Sequence, residues 1–252
     1  MTPSRKPLHV AALIPAYQAA AHLGEVLMRL AVLEEAPEVL VVDDGSRDAT
    51  AEVARRHGAR VLAFAANRGK GHALLAGFRA LAGYDAVVSL DADGQHPPES
   101  FPDFVRAAET GVDVVLGYRR FDTGMPALRR FANGWSSAWA SLAAGRRISD
   151  SQCGYRLYRR EVLTAVPVRA SRYEVESEMA VRAARLGFRI AEIEVPTVYG
   201  GETSHIRLHR DVPRILGMLA RLSLEALSPP AEMRAAYRAR LARTGATEST
   251  PR

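Results

Sequence analysis

The first half of the chain alternates between short apolar runs and segments in which apolar residues recur at helical spacing. The apolar runs are Val10–Ile14, Glu38–Val42, Arg60–Phe64, Asp85–Leu90 and Val112–Leu116. The segments between them with helical character are residues 23–33, Asp48–His57, Gly71–Leu81 and a stretch that begins near Pro98. Strands that alternate with helices this regularly predict an α/β fold, with a mostly parallel central sheet that helices cover on both faces.

The second half of the chain has a less regular pattern. A helical stripe is formed by Leu128, Phe131, Trp135, Trp139 and Leu142. Trp135 and Trp139 suit either a core or a position at a membrane interface or an acceptor groove, and because aromatic residues at helical spacing more often face a core, we expect them to be buried. A helix over Tyr173–Leu186 and a strand over Arg189–Val195 are predicted to follow.

The C-terminal region predicts one more helix and then a change of composition. Asp211–Leu227 is amphipathic, which suits packing against the domain or docking on a lipid surface. We therefore predict a single domain over residues 1–227. Residues 228–252 are rich in Pro, Arg, Ala, Thr and Ser and are expected to be mostly disordered, with Ala231–Arg243 as a marginal helix.

The composition restricts the class of protein. With 252 residues, 48% of them hydrophobic, the chain can bury a full core. Its net charge of +6 is spread along the sequence, which suits a nucleotide diphosphate or an anionic membrane surface, and no motif indicates nucleic acid. The single Cys153 excludes an intramolecular disulfide, and no apolar run approaches the ~20 residues of a membrane-spanning helix. We expect a cytoplasmic protein, with any membrane contact peripheral at the inner face.

Two carboxylates one residue apart follow the buried run that ends at Leu90. In an extended segment Asp91 and Asp93 share a face, so both can bind one hard cation, and Gln95 adds a third oxygen if the extended path continues. The other interpretation is a pair of solvated acids in a turn. Their position directly after a buried strand favours a divalent metal, because open α/β sheets bind ligands at the carboxyl ends of their strands.

Four polar loops are predicted to emerge at this same edge of the sheet. They are Pro15–Gln18, Asp43–Ser46, Asn67–Gly71 and Asp91–Gln95. Tyr17 offers a flat face for a base, and an aspartate of the second loop can accept hydrogen bonds from a ribose. Arg68 and Lys70 can contact phosphates. Each loop alone has a structural interpretation, such as helix capping by Asp43 or Asp44, but their joint position indicates a nucleotide site.

The order and spacing of several motifs resemble the family 2 inverting glycosyltransferases. The motifs in the first half are IPAY, VVDDGS, NRGKG and LDADGQHPPE, and the later ones are GYRR, DSQCGYR, YEVESEM and VPTVYGGETSHI. The chain is most similar to the branch that transfers mannose or glucose to a polyprenyl phosphate. The resemblance implies a GT-A fold, a GDP- or UDP-linked sugar as donor, and Mg²⁺ or Mn²⁺ as cofactor.

The resemblance also implies roles for individual residues. The donor-binding candidates are Pro15, Ala16, Tyr17, Asp43, Asp44, Ser46, Arg68, Lys70, Asp91, Ala92, Asp93, Arg119 and Arg130. The candidate metal ligands are Asp91, Asp93 and Gln95. Gln18 and Ala19 stand where relatives commonly have Asn and Glu, so the resemblance leaves the nucleotide open.

The acceptor decides whether a catalytic base is needed. A lipid phosphate is already ionised at pH 7, whereas a sugar hydroxyl needs a carboxylate within hydrogen-bond reach. The candidate bases are Asp150, Glu174 and Glu176, which have structural interpretations as residues that hold a loop or orient an arginine. The acceptor candidates are Arg156, Ser204, His205 and Arg207.

Two other classes of function fit parts of the sequence. An apolar strand followed by Asp-x-Asp-Gly is also how phosphohydrolases of the haloacid-dehalogenase type present a nucleophilic aspartate, which here is Asp91. That motif usually opens the first strand, and here three predicted strands precede it. A non-catalytic protein that binds nucleotide sugars is the second alternative, and the intact Asp91 and Asp93 pair argues against it.

Overall fold

A computed structural model describes residues 7–120, 127–169, 174–196, 217–218, 220–225 and 227–244, and seven strands of these residues form one sheet. The strands are β1 (Val10–Ala16), β2 (Glu38–Asp43), β3 (Arg60–Ala63), β4 (Ala86–Ser89), β5 (Val114–Tyr118), β6 (Arg156–Arg159) and β7 (Ile190–Glu194). Their order is β3-β2-β1-β4-β6-β5-β7. Only β6 runs antiparallel to its neighbours, β4 and β5, so the prediction of a mostly parallel α/β sheet is confirmed.

Helices cover both faces of this sheet. They are α1 (Ala20–Ala31), α2 (Thr50–Arg56), α3 (Lys70–Ala80), α4 (Phe101–Glu109), α5 (Ala127–Ala144), α6 (Arg160–Ala165), α7 (Glu174–Arg185) and α8 (Ala231–Thr244). A turn of 3₁₀ helix at Pro98–Ser100 precedes α4. One core cluster joins the sheet to α3, α5 and α7, and the other joins it to α1, α2 and α4. Because successive strand residues point to opposite faces, Leu13 lies in the first cluster and Ile14 in the second.

Strand β6 and helix α6 are elements that the sequence pattern did not predict. Strand β6 inserts between β4 and β5. Its residue Leu157 pairs with Val88 of β4 on one side and with Val115 of β5 on the other. Its four residues include two arginines, so the apolar run that marks the other strands is missing. The result is that the first four strands form a parallel half and β6 begins a mixed half.

The burial predicted for the tryptophans of α5 is corrected by the structure. Phe131 and Leu142 are exposed, Trp135 is 42% exposed, and Trp139 is only half-buried at the edge of the core. The core side of the helix is lined instead by small residues such as Ala140. The hydrophobic pattern located the helix but assigned its large side chains to the wrong environment.

The C-terminal residues that the structure describes pack against the domain. Of the predicted helix Asp211–Leu227, residues 211–216, 219 and 226 lie outside the described part, while Met218 and Leu222 are buried in the core. Residues 231–244 form α8, at the place where the sequence predicted a marginal helix over Ala231–Arg243, and Met233 is buried. Burial of this apolar side chain stabilises the helix, because short helices owe most of their stability to packing.

A buried ion cluster fixes these C-terminal helices to α7. The guanidinium of Arg182 is fully buried and lies 3.2 Å from Glu178 Oε1, 3.0 Å from Glu225 Oε2 and 3.2 Å from Glu232 Oε1. Glu178 is equally buried and also pairs with Arg221 at 3.0 Å. The cluster therefore links α7 to both C-terminal helical segments.

No described helix is both long and apolar enough to cross a membrane.

Candidate active site

The carboxyl ends of β2, β1 and β4 lie side by side and bring the predicted loops to one edge of the sheet. The Asp44 N–H donates to the Ala16 carbonyl at 2.8 Å, and the Leu90 N–H donates to the Leu13 carbonyl at 3.1 Å. These bonds hold the three loops in register where the strands end. The fourth loop, which follows β3, begins beside them because the Phe64 N–H donates to the Asp43 carbonyl at 2.8 Å.

Asp44 orders the loop that carries Arg68 and Lys70. Its two carboxylate oxygens accept the N–H groups of Arg68 and Gly69, each at 2.7 Å. Gly69 has a φ of 98°, and Gly45 has a φ of 72° with Ala66 so close that an added Cβ would lie 2.4 Å from its carbonyl carbon. Glycine is required at both positions. The buried Asp44 thus acts on the protein backbone, a role that the sequence did not reveal.

The loops after β1 and β2 are tied together by polar contacts. Gln18, at a φ of 53°, accepts the N–H groups of Arg47 and Asp48 through its side-chain oxygen, both at 3.1 Å. Its own N–H donates to Ser46 Oγ at 2.9 Å, and Asp43 Oδ1 accepts the Ser46 N–H at 3.0 Å. The two loops therefore form one unit.

The apolar part of this edge surrounds one exposed aromatic ring. Pro15, Ala16 and Ala92 are buried, so they belong to the apolar core at this edge rather than offering polar groups. Tyr17 is 38% exposed above them. Arg68 is exposed as well, and its guanidinium carbon lies 5.4 Å from the centre of the Phe64 ring.

Lys70 and Asp91, which are both half-buried, form a charged triad with the buried Glu176. Its ammonium lies 2.6 Å from Asp91 Oδ1 and 3.1 Å from Glu176 Oε2. The sequence predicted that Lys70 contacts phosphate, and in the structure its ammonium is paired with these two carboxylates. The second oxygen of Glu176, Oε1, is buried and has no hydrogen-bond partner within the described residues.

The charges of the triad support one another. Burial opposes the charged form of Lys70, but Asp91 and Glu176 outweigh burial and raise the pKa of Lys70. Burial likewise acts to raise the pKa of Asp91, and Lys70 overcomes it, so the pKa of Asp91 is lowered. Burial does raise the pKa of Glu176, against the opposing effect of Lys70. Asp91 is therefore an anion held in place by a lysine cation.

Gly154 allows the triad to sit against the loop before β6. A Cβ added at Gly154 would lie 2.5 Å from Asp91 Oδ2 and 2.8 Å from Lys70 Nζ. We expect Gly154→Ala to displace this ion pair and to lower enzymatic turnover by about tenfold or more, since positioning errors near 1 Å are costly. Initial rates measure the effect. Gly83→Ala is the control, because nothing lies within 4 Å of its added Cβ, and equal rates in both variants would contradict the prediction.

Asp150 is paired with Arg119 and is not available as a free base. Arg119 Nε lies 2.6 Å from Asp150 Oδ2, and Nη2 donates to Oδ1 at 3.2 Å. The Gln152 N–H donates to Asp150 Oδ1 at 3.0 Å, and the side chain of Asp150 is fully buried. This geometry favours the structural interpretation, in which Asp150 holds its loop and aims Arg119. Arg130 lies exposed on α5.

Arg156 is a correction among the acceptor candidates. Its side chain is fully buried and donates to the carbonyls of Cys153 and Ser151 at 2.7 Å each, and to the Glu176 carbonyl. It therefore joins the loop before β6 to α7, which favours a structural role over contact with an acceptor. Ser204, His205 and Arg207 lie outside the described residues, and Glu174 lies half-buried at the start of α7.

The candidate metal ligands form a small set of oxygens. Asp93 Oδ1 accepts the Gln95 N–H at 3.0 Å, and both residues are half-buried in the turn after β4. In the part of the chain that is described, no group of three or more His, Cys, Asp or Glu residues is placed to bind a metal. Two carboxylates and an amide fit Mg²⁺ or Mn²⁺ when a substrate diphosphate supplies further oxygens, because Mg²⁺ is usually bound this way.

Comparison with known proteins assigns the fold and the family. The sequence model of glycosyl transferase family 2 matches residues 11–166. An undecaprenyl-phosphate mannosyltransferase of Micrococcus luteus is 35% identical over 205 residues, which cover 76% of this chain and 84% of that protein. An undecaprenyl-phosphate 4-deoxy-4-formamido-L-arabinose transferase of Edwardsiella ictaluri is 38% identical over 167 residues, 62% of this chain, and the match spans about half of that protein, 51%.

Solved structures show the same architecture. Glucosyl-3-phosphoglycerate synthase of Mycobacterium tuberculosis in complex with UDP superposes with a TM-score of 0.70 and 24% identity, over 86% of this chain and 80% of that one. The same protein with Mn²⁺, UDP and glucosyl-3-phosphoglycerate gives a TM-score of 0.63 and 23% identity, over 96% and 82% of the two chains. The α/β sheet is therefore a GT-A fold, and the chain is a glycosyltransferase that belongs to glycosyl transferase family 2.

Proposed function

We propose that the protein transfers a hexose from a UDP- or GDP-linked sugar to a polyprenyl phosphate, with Mg²⁺ or Mn²⁺ as cofactor. The observation that carries the proposal is the strand-end edge itself, where the loops of Tyr17, Asp44, Arg68 and Asp93 meet beside the Lys70 triad. The names of the relatives, which are undecaprenyl-phosphate sugar transferases, support the acceptor class. Membership in the family favours transfer over the phosphohydrolase alternative.

The nucleoside is proposed to lie across the unit formed by the first two loops. Tyr17 is exposed enough to stack on a base, and Asp43 and Ser46 line the loop beside it. Arg68 is placed on the adjoining loop, where its guanidinium can contact the diphosphate. Because Asp44 and Gln18 already hold these loops through backbone N–H groups, the site is preorganised before the donor binds.

The metal is proposed to be bound by Asp93 and Gln95, with Asp91 as the carboxylate beside them. A divalent cation bound there supplies positive charge that stabilises the departing nucleoside diphosphate. Lys70 fixes the orientation of Asp91 through the 2.6 Å ion pair. Arg119, aimed by Asp150, adds a second fixed cation on the same side of the sheet.

A lipid phosphate acceptor agrees with the state of the candidate bases. Asp150 is buried against Arg119, and one oxygen of Glu176 is paired with Lys70, which favours the structural interpretation of both carboxylates. An ionised phosphate needs no base. We propose a single displacement with inversion of configuration. An oxygen of the lipid phosphate bonds to the anomeric carbon of the sugar, while the bond between that carbon and the nucleoside diphosphate breaks.

A panel of nucleotides tests the donor half of the proposal. A nucleoside diphosphate at 100 times its Kd stabilises the native state by about 2.7 kcal/mol, which raises the Tm by about 5–10 °C. We expect UDP or GDP with Mn²⁺ to give this shift and the nucleotide with EDTA to give a smaller one. The same small shift for UDP, GDP and dTDP, with and without Mn²⁺, would contradict the donor site.

A further inference from the structure

Helix α5 exposes its large apolar residues and buries its small ones. Phe131, Trp135 and Leu142 are 72%, 42% and 73% exposed. The buried side of the helix consists of Ser136, Ser137, Ala140, Ala143 and Ala144. An amphipathic helix normally has the reverse arrangement, so this pattern indicates a second apolar environment outside the domain.

The exposed apolar residues form one continuous stripe. At about 100° per residue, Phe131, Trp135, Ala138 and Leu142 fall within an arc of about 60° on the helix, and the stripe is about 16 Å long. Trp139 borders the stripe, and its ring stacks on that of Trp135 with centroids 5.1 Å apart. We call this set of residues the aromatic stripe. Tryptophan and phenylalanine are the residues that favour the interface of a bilayer.

The charged residues within the α5 segment itself are all of one sign. Residues 127–147 contain four arginines, at positions 129, 130, 146 and 147, and no aspartate or glutamate. One pair precedes the stripe in the sequence and the other follows it, and the side chains of Arg130, Arg146 and Arg147 are exposed. This pattern fits an anionic lipid surface better than a protein partner. Each arginine near such a surface contributes a similar favourable free energy of binding.

The buried side of α5 is attached to the candidate active site. Ser137 Oγ accepts the Ser151 N–H at 3.0 Å, and Gln152 Nε2 donates to Ser136 Oγ at 3.1 Å. These contacts join α5 to the loop that carries Asp150 and Gly154. The buried side of the helix that carries the aromatic stripe therefore contacts a loop of the candidate site.

We propose that the aromatic stripe of α5 docks on the surface of an anionic bilayer, with the flanking arginines at the headgroups. The proposal rests on the proposed function, since an acceptor with a polyprenyl chain resides in a bilayer and the transferase must reach its phosphate. In this arrangement, docking through α5 places the adjoining loop and the active site close to the headgroup layer. The occupant of the stripe is lipid rather than a second protein molecule.

Vesicle binding by the full chain tests the proposal. We expect co-sedimentation with phosphatidylglycerol-containing vesicles that falls with added salt and is weak on phosphatidylcholine alone. The variant F131S/L142S removes two apolar side chains from the stripe and keeps both tryptophans, and should lower the partition coefficient by about tenfold. R147Q should lower it by about fivefold, the value for one charge near an anionic surface. The matched control is M28S/V32S at the end of α1, where the side chains of Met28 and Val32 are 53% and 80% exposed, and it should bind as the wild type does.

The two tryptophans of the chain give an independent signal, because both belong to the stripe region. Their emission should shift to the blue on vesicle binding and be quenched by brominated lipid. Absence of wild-type binding, or equal binding of F131S/L142S, would overturn the proposal. A wild-type dimer that F131S/L142S dissociates, without vesicle binding, would overturn it in favour of self-association.

A second readout separates this proposal from the proposed function. F131S/L142S should transfer sugar to a short, water-soluble prenyl phosphate at the wild-type rate, within about twofold, because its sites of change are away from the donor. Vesicle binding without transfer to any prenyl phosphate would contradict the proposed function alone. Transfer to the soluble acceptor without vesicle binding would contradict the docking surface alone.

Discussion

Asp93→Asn is expected to lower Mn²⁺-dependent sugar transfer by about a thousandfold, while the Tm of the free protein stays within about 2 °C of the wild type. The substitution removes one charge from the proposed metal site and no core contact, since Asp93 is half-buried in a turn. An asparagine oxygen still accepts the Gln95 N–H. The measurements are initial rates of transfer and the nucleotide-induced Tm shift with and without Mn²⁺.

Asp91→Asn is the informative comparison for this prediction. It removes the partner that lies 2.6 Å from the Lys70 ammonium, so we expect it to lower both transfer and the Tm. The two neighbouring substitutions should therefore differ in stability and agree in loss of turnover. Transfer by Asp93→Asn at the wild-type rate, or a Tm shift with nucleotide that still depends on Mn²⁺, would place the metal elsewhere.

Arg182→Met should destabilise the protein by about 3–5 kcal/mol, because it removes one partner of a buried ion cluster and leaves carboxylates uncompensated. Glu178 is fully buried beside Arg182, and Glu225 lies 3.0 Å away. Loss of the cluster should release α8 and the helical residues before it from α7. Urea unfolding followed by circular dichroism measures the change in free energy.

The control for Arg182→Met is Arg56→Met in an exposed ion pair. Arg56 Nη2 lies 3.3 Å from Glu52 Oε1, with side chains 65% and 69% exposed. Such pairs contribute little, so the free energy of unfolding should change by less than about 0.5 kcal/mol. If both substitutions cost the same, the buried cluster does not hold the C-terminal helices to the domain.

The sequence was sufficient to predict the parallel half of the fold. Strands β1, β2 and β4 are buried on both faces, so their apolar runs are continuous and their ends are marked by polar residues or proline. Because parallel strands place these ends at one edge, the meeting of Tyr17, Asp44 and Asp91 followed from the order of elements alone. The comparisons confirm the predicted GT-A fold and family.

The remaining features depend on contacts between distant residues. Strand β6 has an arginine at each end, and Arg156 is buried only because carbonyls of the preceding loop and α7 surround its guanidinium. The sequence around Lys70 predicts a phosphate ligand. The ion pair of Lys70 with Glu176 could not be predicted, because the two residues are far apart in the sequence. The α5 stripe has the same period whether it faces inward or outward. Periodicity locates a helix but does not specify which surface covers it.

The most direct test of the account is the mass of the lipid product after incubation with a nucleotide sugar and Mn²⁺. We expect a polyprenyl phosphate to gain the mass of one sugar residue, with one nucleoside diphosphate released for each product molecule. EDTA should abolish the reaction, and the corresponding polyprenol should remain unchanged, because the phosphate oxygen is already ionised whereas the hydroxyl of the alcohol would have to lose a proton to a base. Release of nucleoside diphosphate without a glycosylated lipid phosphate, or transfer to the alcohol at a similar rate, would contradict the account.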